Sequence, residues 1–235
     1  MSTQPSQYGR YGKSALVCSI LLFIPIVTQA ANLSLSYHCI TNNDTTGDNC
    51  STGENQLYTE VTDIGVNDSG VSRVQFDFFN TGPTGSLISE VYFDDGTLLG
   101  IAEIIDADTG GNTDVNFSQD ANPPKLPGWN KIDPNFEVTA GFLADADNPA
   151  PKWGVAPGEQ LGIIFNLKDG GTYENIAAEL ADGRLRVGMH VISTGATGGN
   201  ESFVSKPVPL PAAAWLFLSG LLGITMKKRQ TKQPL

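Results

Sequence analysis

The amino-acid sequence predicts a mainly β fold, an antiparallel β-sandwich of the jelly-roll or immunoglobulin-like type with one short helix. Three observations support this class. Seven or more short apolar runs follow one another between residues 57 and 192, turn-forming residues separate them, and apolar and polar residues alternate within them. A period of two residues is that of a strand with one buried and one wet face. The choice between the two sandwich types stays open at this point.

The alternation is clearest in the run 71–79, with Val74, Phe76 and Phe78 on one face and Arg73, Gln75 and Asp77 on the other. Further strands are predicted at 136–142 and 161–167. A last strand at 185–192 places four apolar residues on one face, namely Leu185, Val187, Met189 and Val191.

A β-hairpin is predicted around Asp94-Asp95-Gly96, which stands between the apolar runs 88–93 and 97–105. An Asp-Gly pair between apolar runs is the strongest short-range hairpin pattern, because both residues tolerate the turn geometry.

One helix is predicted to begin after Thr172, a residue type that caps helix N-termini, and to run through Leu180. It has three apolar residues on one face, Ile176, Ala177 and Leu180, and Gly183 stops it. The polar, proline-containing segment 106–133 is predicted to be a long loop, which in compact domains often carries function.

The charge of the chain excludes one class of partner. The predicted body, 31–205, contains seven basic residues against 25 acidic ones, a formal net charge of −18. Such a surface repels phosphate backbones and anionic lipid, so nucleic acid is excluded, and it attracts cations.

Cys39 and Cys50, with ten residues between them, lie near the start of the body and are predicted to form a disulfide. A loop this short restricts the unfolded chain by about 3 kcal/mol in the entropy model. A metal site needs more ligands, and although His38 is adjacent, the sequence has no second cysteine pair or histidine cluster.

A calcium site is predicted in the acidic loop 106–114, which sets oxygen-bearing side chains on both sides of a Gly-Gly turn: Asp106, Asp108, Asn112 and Asp114. The loop is incomplete as an EF-hand, because Gly110 replaces an acidic position and Phe117 stands where the bidentate glutamate belongs. A further carboxylate must come from elsewhere, with Asp94, Asp95, Asp145 and Asp147 as candidates. The alternative is a solvated acidic loop.

The residues give little support to catalysis. There is no Gly-x-Ser-x-Gly motif, the mature cysteines are predicted to pair, and His190 lies opposite the apolar face of its strand. Catalysis by carboxylates alone, as in glycoside hydrolases, remains an alternative. Three aromatic side chains, Trp129, Trp153 and Tyr173, are candidates for stacking on the sugar rings of an extracellular polysaccharide, or else for sealing the end of the sandwich.

The two ends of the chain predict export. Arg10 and Lys13 precede the apolar stretch 15–27, and Thr28-Gln29-Ala30 forms a small-x-small cleavage pattern, so residues 1–30 are predicted to be a signal peptide. The segment 206–235 contains an uncharged apolar run, 212–226, followed by three cations. This run is predicted to be a membrane helix, although its length of roughly 22 Å falls short of the ~30 Å hydrocarbon core.

The tail resembles the PEP-CTERM sorting signal, which exosortase enzymes recognise in Gram-negative bacteria. The resemblance rests on Val208, Pro209, Leu210 and Pro211, the short apolar span behind them and the basic cluster at Lys227. The family usually has glutamate where this chain has Leu210. The resemblance implies a protein that meets the export machinery, is anchored transiently in the inner membrane, and reaches the cell surface or the extracellular matrix.

Two functions follow as expectations. The first is a non-catalytic exported surface or matrix protein, a candidate for binding polysaccharide. The alternative is a secreted polysaccharide-active enzyme that uses carboxylates.

Overall fold

The computed structural model describes residues 32–44, 48–94, 102–106, 114–119, 125–138 and 143–208. These residues are mainly β, and every strand pair is antiparallel, as predicted. Three helices lie among them: α1 (Asp48–Gln56), α2 (Ala150–Trp153) and α3 (Tyr173–Asp182). The strands are β1 (Leu33–Cys39), β2 (Leu57–Val66), β3 (Ser72–Asn80), β4 (Leu87–Asp94), β5 (Ala102–Asp106), β6 (Phe117–Gln119), β7 (Leu143–Ala146), β8 (Gln160–Leu167), β9 (Arg186–Thr194) and β10 (Gly199–Ser205).

All ten described strands belong to one sheet, in the order β5-β8-β3-β2-β1-β10-β9-β4-β7-β6. Strand β1 divides it, because the residues from Leu33 to Ser36 pair with β2 and those from Tyr37 to Cys39 pair with β10. We call β5, β8, β3 and β2 the first half-sheet, and β10, β9, β4, β7 and β6 the second half-sheet.

The sheet curls so that the two half-sheets share one core. Phe93 of β4 contacts three rings of the first half-sheet, with centroid distances of 5.3 Å to Phe76, 6.2 Å to Phe78 and 5.0 Å to Phe165. Strand β4 is not a neighbour of β3 or β8 in the sheet order, so these edge-to-face contacts join residues that the curl brings together.

Several local predictions are confirmed. The predicted strands 71–79, 161–167 and 185–192 correspond to β3, β8 and β9. Helix α3 begins where predicted, because the Thr172 side chain accepts from the backbone N–H of Asn175 while the Asn175 side chain accepts from Thr172. It ends at Gly183, whose φ of 76° lies in the left-handed region.

The hairpin prediction at Asp94-Asp95-Gly96 is wrong. Strand β4 pairs with β7 and β9, whereas β5 pairs with β8 in the other half-sheet. All eight residues of β4 are buried, and Asp94 forms an ion pair with Arg186 of β9. A strand covered on both faces is placed by its packing, which here outweighs the local turn pattern.

The predicted strand 136–142 is also wrong over its described part, 136–138, which is irregular. The backbone N–H of Phe136 donates to the Trp129 carbonyl at 2.9 Å instead of joining a ladder.

The predicted loop 106–133 contains the short strand β6. Strand β10 follows β9, so the predicted strand 185–192 is not the last one. Helices α1 and α2 add to the single predicted helix.

Segment 125–138 covers the outer side of the second half-sheet and builds a smaller apolar cluster there, made of Ile40, Tyr92, Leu126, Phe136 and Val204. Gly188 in β9 permits this close approach. A Cβ atom at this position would lie 2.8 Å from Leu126 and 2.9 Å from Phe136.

We expect Gly188→Ala to lower the free energy of unfolding by about 2 kcal/mol, because the added methyl group pushes the covering segment outward. Urea denaturation measures the loss, and the emission of Trp129 in that segment should shift to the red. Gly85→Ala is the matched control, since the nearest atom to its Cβ is 3.7 Å away. Equal effects of the two changes would contradict this account of Gly188.

The predicted signal peptide, 1–30, and the predicted membrane helix, 212–226, lie outside the described residues. Within the described ranges, no helix combines the length and the apolar composition needed to cross a membrane.

Candidate functional site

Cys39, at the end of β1, and Cys50, in α1, are joined by a disulfide in the predicted pairing, with their Cα atoms 5.3 Å apart. Glu201 of β10 lies beside them and is only 1% exposed. Its carboxylate accepts from the backbone N–H groups of Asn43 at 2.8 Å and Asp44 at 3.1 Å, and from the Thr41 hydroxyl. Through these hydrogen bonds, Glu201 holds residues 41–44, which follow β1, against β10.

The two sulfur atoms and a Glu201 carboxylate oxygen lie within 4.8 Å of one another, close enough to hold a metal ion. The sulfurs are already bonded to each other, and the carboxylate already accepts three donors. The arrangement is thus a structural corner. Sequence reasoning missed Glu201, because nothing in the local pattern relates residue 201 to residues 41–44.

The predicted calcium loop lies almost entirely outside the described residues. Only the strand position of Asp106, at the end of β5, and the exposed Asp114 are described. Of the proposed additional ligands, Asp147 accepts hydrogen bonds from Asn116 at 2.7 Å and Ser118 at 2.6 Å. Calcium binding at this loop stays a prediction.

His190 lies in a polar row on the outer side of the second half-sheet. Its Nδ1 is 2.9 Å from a Glu90 carboxylate oxygen, which also accepts from the Tyr92 hydroxyl at 2.7 Å. Burial is the main cause that raises the pKa of Tyr92, and the hydrogen bond to Glu90 raises it further. Ser202 stands opposite His190 in the register, but it is fully buried and its hydroxyl has no hydrogen-bond partner. Acyl transfer needs a serine bonded to its base, so this geometry does not supply it.

The three aromatic residues predicted to stack on sugars pack in different places. Trp129 contacts the cluster under segment 125–138, while Trp153 and Tyr173 contact the main core from α2 and α3. Each tryptophan carries a lysine ammonium over its ring, Lys125 at 4.5 Å and Lys152 at 4.0 Å. The Tyr173 hydroxyl donates to the Val61 carbonyl at 3.2 Å. The structure does not gather these three side chains into one platform.

A different aromatic pair lies on an open sheet surface. Tyr58 of β2 and Phe79 of β3 are cross-strand neighbours whose rings stack at 4.6 Å with an angle of 8° between their planes. Both are partly exposed, because they point away from the main core. We call this surface, formed by β2, β3 and β8, the outer face. Its other members are Glu60, Thr62, Arg73, Gln75, Asp77, Gln160, Gly162, Ile164 and Asn166.

Hydrogen-bonding groups surround the aromatic pair. Glu60 and Asp77 stand opposite each other one row further along, and Gln160 lies beside Phe79. Partial burial raises the pKa of Asp77, and the hydrogen bond from Gln75 at 2.6 Å opposes that rise. The outer face thus combines a partly exposed, stacked aromatic pair with carboxylate and amide groups.

No known protein family, curated protein or solved structure matches this chain. A proposal about function is therefore based on the geometry of the outer face. Sequence reasoning missed Tyr58 and Phe79, although one indication was present: Phe79 continues the alternation of Arg73, Gln75 and Asp77, so an aromatic ring falls on the polar side of β3.

Proposed function

We propose that this protein is a non-catalytic, exported surface or extracellular-matrix protein of a Gram-negative bacterium that binds neutral polysaccharide on its outer face. The stacked pair of Tyr58 and Phe79 is the observation that carries the proposal. The two partly exposed rings lie face to face with nearly parallel planes, and their outward edges offer an apolar surface to the C–H side of a sugar ring. The neighbouring amide and carboxylate groups are matched to the hydroxyls at its rim.

Charge narrows the class of polysaccharide. The body carries a net charge of −18, and Glu60 and Asp77 lie next to the aromatic pair. Polyanionic chains are repelled by such a surface, whereas neutral sugars are not. The disulfide between Cys39 and Cys50 supports an oxidising location, because such bonds persist outside the cytoplasm.

A glycan array probed with the exported protein tests this proposal, followed by calorimetry with the best neutral ligand. We expect Tyr58→Ala and Phe79→Ala each to weaken binding at least about tenfold, as truncation of a central aromatic contact does. Val66→Ala, at a residue that is 61% exposed, is the control for loss of surface apolar area and should bind as the wild type does. Loss of binding in Trp129→Phe or Trp153→Phe, with binding retained in Tyr58→Ala and Phe79→Ala, would contradict the proposal. It would place the sugar site at the aromatic residues predicted from the sequence.

The alternative, a secreted polysaccharide-active enzyme, is favoured by one observation: Glu60 and Asp77 are directly opposite each other beside the aromatic pair. Two facing carboxyl groups, one with a raised pKa, are the groups that glycoside hydrolysis uses. Release of reducing ends from the bound polysaccharide, abolished in Asp77→Asn, would establish the enzyme. Binding without such release supports the first proposal.

For sorting, we propose that an exosortase-type system processes the tail that begins at Lys206. The backbone N–H of Lys206 donates to the Ser36 carbonyl and that of Val208 to the Leu180 carbonyl, at 2.8 and 3.2 Å. The tail therefore leaves the body beside α3, and the remaining motif residues, Pro209, Leu210 and Pro211, lie outside the described residues.

Processing has a direct test. Mass spectrometry of envelope or extracellular protein should recover no peptide beyond Trp215. Intact 227–235 in most of that protein would contradict the proposal.

We also propose that the curled sheet is a β-sandwich of jelly-roll or immunoglobulin-like type, which the contacts of Phe93 with β3 and β8 support.

A further inference from the structure

The corner formed by Cys39, Cys50 and Glu201 brings together three side chains of the kinds that bind zinc. They come from three separate elements, because Cys39 ends β1, Cys50 lies in α1 and Glu201 lies in β10. The two sulfur atoms and a carboxylate oxygen lie within 4.8 Å of one another. The two cysteines alone are too few ligands for a metal, and the fold supplies the third.

The spacing of these atoms suits a tetrahedral zinc ion. With Zn–S bonds of about 2.3 Å and Zn–O bonds of about 2.0 Å, a ligand sulfur and a ligand oxygen lie roughly 3.5 Å apart, and two sulfurs roughly 3.8 Å. Cys39 Sγ and Glu201 Oε2 are already 3.8 Å apart. The two sulfurs cannot ligate as thiolates while they are bonded to each other. Once that bond is broken, side-chain rotation is enough to separate them, since the Cα atoms are 5.3 Å apart.

Glu201 can bind a metal ion without losing the hydrogen bonds that hold it. The Asn43 N–H lies 2.8 Å from Oε1 and 3.0 Å from Oε2, and the Asp44 N–H lies 3.1 Å from Oε1. Because the Asn43 N–H can stay with Oε1, Oε2 has a lone pair left beside the one that accepts from the Thr41 hydroxyl. Such hydrogen bonds are the contacts that orient ligating carboxylates in metal sites.

A cavity of about 230 Å³ gives an ion access to Glu201. Its lining consists of Glu201 with Asn43, Asp44, Asn49, Thr197 and Gly199. Both cysteines are partly exposed. The Asp44 carboxylate in the lining and the net charge of −18 on the body attract a cation to this place.

We propose that this corner is a redox-dependent zinc site: after reduction of the disulfide, Cys39 Sγ, Cys50 Sγ and Glu201 Oε2 bind Zn²⁺, with water in the fourth position. A small thiol is the reductant, and two RSH molecules become RSSR while the S–S bond becomes two S–H groups. Zinc binding then releases both thiol protons. The ion links β1, α1 and β10, so residues 41–44 stay in place in either redox state. The inference does not depend on sugar binding or on sorting.

Zinc titration of the full exported protein tests the site, with the protein either oxidised or reduced anaerobically by a phosphine and desalted. Elemental analysis should find one zinc ion per reduced chain and none on the oxidised chain. Co²⁺ in place of zinc should give the near-ultraviolet charge-transfer band of thiolate ligands and the visible bands of a tetrahedral ion. Zinc should raise the melting temperature of the reduced protein and leave that of the oxidised protein unchanged.

Glu201→Gln tests the carboxylate, because glutamine still accepts from the N–H groups but is a poor zinc ligand. We expect the zinc affinity of the reduced protein to fall at least about tenfold, the lower end of what loss of an outer-shell partner costs at metal sites. Glu54→Gln is the matched control. Glu54 accepts from the Cys39 N–H at 2.9 Å but is not one of the three ligands, so this variant should bind zinc as the wild type does.

Three results would overturn the zinc site: equal zinc affinity in Glu201→Gln and the wild type, a cobalt spectrum without the thiolate band, or equal zinc binding by the oxidised protein. Circular dichroism of each reduced, metal-free protein shows whether it is folded. Where it is unfolded, zinc should restore the β-sheet spectrum of the wild type but not that of Cys39→Ser with Cys50→Ser. Failure of zinc to refold the wild type would equally refute the proposal.

Discussion

Phe93→Ala is expected to lower the free energy of unfolding by about 4 kcal/mol. The ring is 1% exposed and is the contact through which β4 of the second half-sheet packs against Phe76, Phe78 and Phe165 of the first. Its removal leaves a cavity between the two half-sheets. The remaining core side chains keep the half-sheets at their present distance, so the cavity cannot collapse fully. Chemical denaturation measures the change, and the slope of the transition should stay constant if the fold is retained.

Phe79→Ala is the matched control, because it removes the same side chain one residue from Phe78 but on the outer face. We expect a loss of about 1 kcal/mol, mainly of the stacking with Tyr58. The two variants should thus separate stability from binding. A similar loss of stability in both would mean that the outer face is covered by another part of the chain, and the proposed binding surface would then be wrong.

The sequence predicts those elements whose pattern and local chemistry agree. The alternation of Val74, Phe76 and Phe78 identifies β3, and Thr172 with Gly183 delimits α3, because strand faces and helix caps depend on residues that are close in the chain. The disulfide between Cys39 and Cys50 follows from the same kind of short-range information.

What the sequence does not predict depends on distant partners. The Asp-Gly pair after Asp94 misleads because Arg186, 92 residues away, binds the Asp94 side chain and helps to place β4 beside β9. The outer face was missed for a related reason: Tyr58 and Phe79 become a pair only through the register of β2 with β3. The sequence of a single strand shows only one aromatic residue on its polar side. The stacked pair exists only when the two strands are paired in the sheet.

The second large effect is expected at the corner formed by Glu201 and the disulfide. Glu201→Ala should lower the free energy of unfolding by about 3 kcal/mol, because it leaves the backbone N–H groups of Asn43 and Asp44 and the Thr41 hydroxyl without their acceptor. Glu54→Ala is the matched control in the same corner. Glu54 accepts from the Cys39 N–H at 2.9 Å but is exposed, so its loss should change stability by about 0.5 kcal/mol or less.

The disulfide and Glu201 act on the same short segment, which makes their combination informative. Cys39→Ser with Cys50→Ser should cost about 3 kcal/mol, chiefly by releasing a constraint on the unfolded chain. In the triple variant with Glu201→Ala, the loss should be smaller than the sum, because a segment freed from the disulfide already frays away from the carboxylate. Denaturant titrations of the four proteins give the coupling energy directly. Strict additivity would show that Glu201 holds residues 41–44 independently of the disulfide, and the corner would then be two separate stabilising contacts.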